Sequence, residues 1–164
     1  MLLDFDPEVV GFASQPFRLS WWEGRHRSHV PDFFARLADG TGVVIDCRPA
    51  EHVPPADAEV FAFTERACEQ VGWRYRLLHA PDQVLVANVR WLAGFRHPRN
   101  HRAEVAARLT EVFAQPMPLV AGAAAAGDTL GVLPVLFHLL WRSLLKVDLG
   151  DALGERSLVS VPGA

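Results

Sequence analysis

Residues 30–48 read Val30-Pro31-Asp32-Phe33-Phe34-Ala35-Arg36-Leu37-Ala38-Asp39-Gly40-Thr41-Gly42-Val43-Val44-Ile45-Asp46-Cys47-Arg48. Two apolar, β-branched and aromatic runs flank Asp39-Gly40-Thr41-Gly42, which is a hairpin turn signal. Residues 29–37 therefore read as one strand and 43–48 as another, stopped by Pro49. Asp32 opens the first strand and Asp46 closes the second, so both acids sit near one end of the hairpin. Turn length decides how they relate. A two-residue turn at Asp39-Gly40 pairs Asp32 with Cys47 and points Asp46 away. A turn of three or five residues pairs Asp32 with Asp46 and puts Arg48 on the same face, by the strand period of two. Two glycines suit a bulged, odd-length turn. If Asp46 faces a site, Cys47 faces the core.

Outward from this hairpin, residues 9–22 are rich in β-branched and aromatic types and read as one strand bent at Gln15-Pro16. Glu23-Gly24-Arg25 is a turn. After Pro54-Pro55, Asp57 is placed to cap a helix to Val71, ended by Gly72. Residues 73–78 read as a fourth strand. Residues 82–95 suit a helix or a strand, with helical spacing of Val84, Leu85, Asn88, Trp91, Leu92 and Phe95 favouring the helix. The first half is thus β-β-β-α-β, an α/β pattern with a mixed sheet. Beyond residues 98–102 the texture changes to Ala- and Leu-rich helices at 103–114, 118–126 and 129–143, then a β-hairpin from 144–149 and 157–161. Three helices and a hairpin are the order of a winged-helix domain. Two domains are expected, 1–98 and 99–164.

Composition limits the function classes. The chain has 164 residues, 50% of them apolar, and a net charge of -3, which supports a packed core and excludes a globally basic nucleic-acid binder. Fifteen of the sixteen basic residues are Arg, which suits phosphate recognition; a GC-rich genome gives the same bias. Cys47 and Cys68 make no disulfide framework or zinc spacing. No signal peptide precedes Asp4, and the apolar stretch 118–141 is interrupted by glycines, Asp128 and Pro134. A cytoplasmic protein without a membrane span is expected.

Two carboxylates set close together repel unless something neutralises them. A hard divalent cation does so, and it can also activate water against a phosphodiester. Arg48 would then face the phosphate. Pro31-Asp32, fourteen residues on to Asp46-x-Arg48, matches the PD-(D/E)xK nuclease pattern, although surface acids at a hairpin give the same spacing. Arg18, Arg25 and Arg27, with His26 and His29, form a basic segment that suits either phosphate contact or plain solvation. The same holds for Arg90, Arg96, Arg99 and Arg102 with His97 and His101. Trp21, Trp22, Trp73, Trp91 and Trp141 are expected in the core, as is His138.

Several segments in order resemble the TnsA-like transposon endonuclease family in its actinobacterial form. They are Leu3-Asp4-Phe5-Asp6-Pro7, Val9-Val10, Gln15-Pro16-Phe17, Val30-Pro31-Asp32-Phe33-Phe34 and Asp46-x-Arg48. Val71-Gly72-Trp73-Arg74-Tyr75 and the run from Asn88-Val89-Arg90-Trp91 to His97-Pro98-Arg99 continue the likeness, which weakens after about residue 100. The resemblance implies a restriction-endonuclease-like fold and Mg²⁺-dependent hydrolysis, with Mn²⁺ as a substitute, of one strand at transposon 5′ ends. It implies transposon-end DNA as substrate, with a TnsB-like DDE transposase subunit and a TnsC-like ATPase regulator as partners. Carried over by position, Asp32 is the metal-binding aspartate, Asp46 the second acidic ligand, and Arg48 stands where the catalytic Lys is usual. Gln15-Pro16 matches a structural signature, and the winged-helix-like part would contact the regulator or partner.

Two departures shape the expectation. Arg48 keeps its proton, so it can stabilise phosphate but is a poor base. The family's catalytic Glu lies on a helix before Asp4-Phe5-Asp6-Pro7, and here only Met1-Leu2-Leu3 precede that segment. Glu8 follows it and does not take the role. A mis-assigned start, a fragment or a degenerate subunit would each account for this, with activity impaired and one apolar sheet face uncovered. The alternative is a catalytically inactive DNA- or partner-binding module on a nuclease-like scaffold.

Overall fold

The computed structural model describes residues 1–48 and 54–163, so Pro49 and its expected strand stop lie outside the described residues. The chain divides into two compact units, Asp6–Pro81 and a second made of Met1–Phe5 with Asp82–Ala164. The short helix α1 (Leu2–Phe5) belongs to the second.

The Asp6–Pro81 unit carries β1 (Val9–Ser14), β2 (Leu19–Trp22), β3 (His26–His29), β4 (Phe33–Leu37), β5 (Gly42–Cys47), α2 (Pro55–Gln70) and β6 (Arg74–Leu78). Its sheet runs β1-β4-β5-β6, antiparallel except for the parallel β5–β6 pair that α2 connects. The chain is α/β with a mixed sheet, as its pattern predicts.

The two long strands expected at 9–22 and 29–37 are each broken. Pro16 and Pro31 cannot donate to a ladder, and both fall just past the Ser14↔Phe33 pair. Gln15 adopts φ 47° there and donates its N–H to the Asp32 carbonyl at 2.9 Å. Beyond this joint, β2 and β3 leave the main sheet and pair only with each other, Leu19↔His29 through Trp22↔His26.

The β4–β5 turn is odd. Leu37 N–H donates to the Thr41 carbonyl and Gly40 N–H to the Leu37 carbonyl, each at 2.9 Å, leaving Ala38-Asp39-Gly40 as the loop. Gly40 takes φ +85°, the left-handed conformation such a loop requires and glycine tolerates. The register runs from Arg36↔Gly42 to Phe33↔Ile45, so the next residues along, Asp32 and Asp46, lie opposite each other.

The α2 helix starts on Pro55 with Pro54 as its cap, not on Asp57, because proline at the first position gives up an N–H that has no partner anyway. Phe61, Thr64 and Cys68 are its buried residues. Phe61 faces Tyr75 and His29, which places α2 on the sheet face shared by Val44, Asp46 and Tyr75. Among the described residues α2 is the only helix of this unit. On the opposite face Phe12 is 45% exposed.

The second unit holds α3 (Gln83–Ala93), a 3-10 turn at Pro98–Asn100, α4 (Ala103–Val112), β7 (Met117–Pro118), α5 (Leu119–Ala126), α6 (Thr129–Trp141), β8 (Lys146–Val147) and β9 (Leu158–Ser160). Its small sheet is antiparallel, ordered β7-β9-β8. The helix at 82–95 forms, with the Asp82 side chain accepting from Val84 and Leu85 N–H at 2.8 and 3.0 Å. Its Val89 and Leu92 join Leu109, Phe113, Leu136 and Leu139 in one core. Asn88 ties it further, donating to the Leu149 and Asp151 carbonyls at 2.9 and 2.8 Å and accepting from Leu153 N–H at 3.0 Å. The compact units accordingly divide between Pro81 and Asp82.

His138 is buried, with Nδ1 2.8 Å from the Phe95 carbonyl, and Trp141 is buried too. Trp22 and Trp91, expected inside, are exposed. No single helix among the described residues is long and apolar enough to cross a membrane, and the apolar α5–α6 pair bends through 118°.

One test of this packing is Gly122 in α5. A Cβ there would run into the fully buried ring of Phe113. Gly122→Ala should lose about 1–3 kcal/mol of stability despite its better helix propensity. Urea unfolding followed by circular dichroism measures this; an unchanged or raised midpoint would show that the ring has room to move.

Candidate functional site

The odd turn brings two carboxylates to one end of the β4–β5 hairpin, and their surroundings differ sharply. Asp46 is fully buried. His29 Nε2 lies 3.1 and 2.9 Å from its two oxygens, Tyr75 Oη donates to Oδ2 at 3.0 Å, and the Asp32 N–H donates to Oδ1 at 3.3 Å. Both oxygens are therefore engaged. Burial pushes the Asp46 carboxyl up, but its hydrogen bond and electrostatic interaction with His29, with the bonds from Tyr75 and Asp32, outweigh it and leave the pKa below the usual value. Burial and the neighbouring Asp46 carboxylate push the Tyr75 phenol up. Tyr75 thus stays a donor at all ordinary pH values.

Asp32 is the open member, with its side chain 37% exposed. Its Oδ2 accepts the Cys47 N–H at 2.7 Å and lies 3.6 Å from Arg48 Nη1. Arg48 spans two acids, with Nε 3.7 Å from Asp57 Oδ2. Its Nη1 donates to the Cys47 carbonyl at 2.8 Å, and its guanidinium lies 5.3 Å from the Phe61 ring centre. The backbone holds it as well: Arg48 N–H donates to the Leu78 carbonyl at 2.8 Å, and His79 Nδ1 is 3.1 Å from the Arg48 carbonyl. The repulsion expected of paired acids is thus relieved one acid at a time, Asp46 by His29 and Asp32 by Arg48.

Asp32, Asp46 and Arg48 are brought together, as the odd-turn register requires. Cys47, expected to face the core, is exposed, because the period of two turns it away from the buried Asp46. Burial and the charges of Asp32 and Asp46 push its thiol pKa up. Gln15 and Pro16 sit at the strand joint, a structural place. Of the basic residues expected on DNA, Arg18 donates to Ser28 Oγ at 3.5 Å and Arg25 is exposed at the β2–β3 turn. Arg27 is spent on acids, 3.0 Å from Glu59 and 3.5 Å from Glu23. Arg90, Arg96, Arg99 and Arg102 fall in the other unit.

Sequence reasoning missed three participants. His29 was legible only as a basic loop residue, and Tyr75 only as strand filler. The one signal for Tyr75 is its place on the strand parallel to β5, in register with Val44, two residues from Asp46. Asp57 reads as a helix cap and is instead a partner of Arg48. Among the described residues no group of three His, Cys, Asp or Glu side chains is arranged to hold a metal ion. Asp32 is the solvent-exposed carboxylate of the pair.

No family model matches this sequence, and no curated protein matches it.

The buried carboxylate is the energetic centre of the cluster. Asp46→Ala leaves His29, Tyr75 and the Asp32 N–H without their acceptor and should cost about 3–5 kcal/mol in chemical denaturation. Because the folded pKa lies below the unfolded value of about 3.9, this contribution is whole above that value and is lost as pH falls through the folded one. Stability measured from neutral to acid pH should therefore fall less steeply in Asp46→Asn than in the unaltered chain. Equal acid slopes would show that Asp46 does not carry this dependence.

Proposed function

We propose that the Asp6–Pro81 unit is a TnsA-like nuclease unit of restriction-endonuclease type that acts on DNA by phosphodiester hydrolysis. In this reading the chain is the endonuclease subunit of a heteromeric transposase, cutting at transposon 5′ ends beside a TnsB-like subunit and under a TnsC-like regulator. One observation carries it: the three-residue turn sets Asp32 opposite Asp46 with Arg48 on the same face. A hairpin followed by a helix and a parallel strand supports it further. In the second unit, the order α4-β7-α5-α6-β8-β9 with strands arranged β7-β9-β8 supports the winged-helix reading.

Mg²⁺, or Mn²⁺ in its place, would be held by Asp32 through its open carboxylate. When bound, the ion supplies a water of lowered pKa and neutralises charge on the phosphate. Arg48 contributes a fixed positive charge beside that phosphate; it cannot take up a proton, so it is no general base. Asp46 orients the site through the Asp32 N–H, and it joins the ligand set only by exchanging His29 or Tyr75 for the cation. That engagement of both Asp46 oxygens is the observation favouring a second reading, an inactive DNA- or partner-binding module on the same scaffold.

A supercoiled-plasmid assay separates the two. The proposal expects nicks that need Mg²⁺ or Mn²⁺, with Asp32→Ala reduced to the no-protein level. DNA retained in a gel shift but uncut by both proteins, with either metal, would replace hydrolysis by the binding role.

A further inference from the structure

We infer that the outer face of the β2–β3 ribbon is the surface that grips duplex DNA, with Trp22 against sugar and base edges and Arg18 and Arg25 on phosphates. The inference rests on the proposal that this chain acts on DNA, and it names the part that holds it.

The ribbon has two unlike faces. Leu19, Trp21, Arg27 and His29 are partly buried, while Ser20, Trp22, His26 and Ser28 are exposed, in strict alternation. The inner face is an anchor. Trp21 stacks on Phe63 of α2 with centroids 4.0 Å apart and planes 10° from parallel. Arg27 reaches Glu59 of the same helix at 3.0 Å, and His29 binds Asp46. These ties hold the ribbon firmly on α2 and the acid cluster, so the outer face is presented rather than free to fold inward.

The outer face has the chemistry of a nucleic-acid contact. Trp22 is 75% exposed, a large apolar surface that folding leaves in water. Arg25 stands at the turn beside it, His26 is its cross-strand partner, and Arg18 lies over Ser28. The one carboxylate at the turn, Glu23, lies 3.5 Å from Arg27, which it shares with Glu59. Arg18, Arg25 and the hydroxyls of Ser20 and Ser28 around an apolar ring complement the phosphates and sugars of a duplex.

The ribbon also points from the acid cluster outward. Its base pair, Leu19↔His29, touches Asp46, and its tip pair is Trp22↔His26, three residues further on. That is roughly 10 Å of strand, about the rise of three base pairs.

Fluorescence anisotropy of a labelled duplex oligonucleotide, in EDTA so that cleavage plays no part, tests this. Trp22→Ala should weaken binding about 5- to 30-fold while thermal unfolding stays unchanged, since the side chain is exposed. Arg18→Ala with Arg25→Ala should lower the slope of log affinity against log salt by about 2. If the unaltered chain binds duplex and both variants bind equally well with the same slope, the ribbon is not the grip, and the DNA reading survives. Tighter binding of a single strand than of the duplex would overturn the duplex assignment. If the unaltered chain binds no DNA even at low salt, both the ribbon inference and the DNA reading fall.

Discussion

A carboxylate with no water around it must be satisfied entirely by protein, and Asp46 is satisfied from three directions. His29 comes from the end of the ribbon, Tyr75 from the parallel strand, and the Asp32 N–H from the partner strand of the hairpin. One side chain therefore holds β3, β5 and β6 and the entrance to β4 in a single geometry. The arrangement of Asp32 and Arg48 follows from it, because Asp32 is gripped through its own backbone and Arg48 lies two residues past the anchor. A buried ion of this kind adds less to stability than its bonds suggest, since desolvation opposes it. Its larger effect is to forbid alternative registers, because a slip of one residue would leave a charge buried without partners.

The second constraint is the pair of prolines. Pro16 and Pro31 interrupt the ladder at the same level, so the chain divides there into the main sheet and a separate two-stranded ribbon. Either proline alone would leave one strand able to continue. Together they free four residues on each side to form β2 and β3. The same joint lets the Gln15 N–H meet the Asp32 carbonyl, so the break that makes the ribbon also positions the acid.

Much of this was written in the residue pattern. The hairpin was legible from Asp39-Gly40-Thr41-Gly42, and the odd turn stood as one of two alternatives that its glycines favoured. The helix at 82–95, the Ala-rich helices and the closing hairpin were legible from periodicity, which survives because apolar stripes must face a core. Composition changes near Pro98, whereas the compact units divide between Pro81 and Asp82; Val89 and Leu92 carry helical spacing but give no sign of which core they enter. Trp22 and Trp91 were placed inside by residue type, and type alone does not tell which side of a strand or helix faces water.

The sequence by itself determined the β4–β5 hairpin, the helices and the period of two that sets Asp46 and Arg48 on one face, since these depend on local sterics, turn chemistry and the spacing of apolar residues. Tertiary structure alone decided that Asp46 is buried while Asp32 is open. The four bonds around Asp46 come from His29, Tyr75 and the Asp32 backbone, residues up to 29 positions away in sequence. The desolvation that distinguishes two chemically identical carboxylates is a property of what packs around them, and no stretch of sequence next to either one records it.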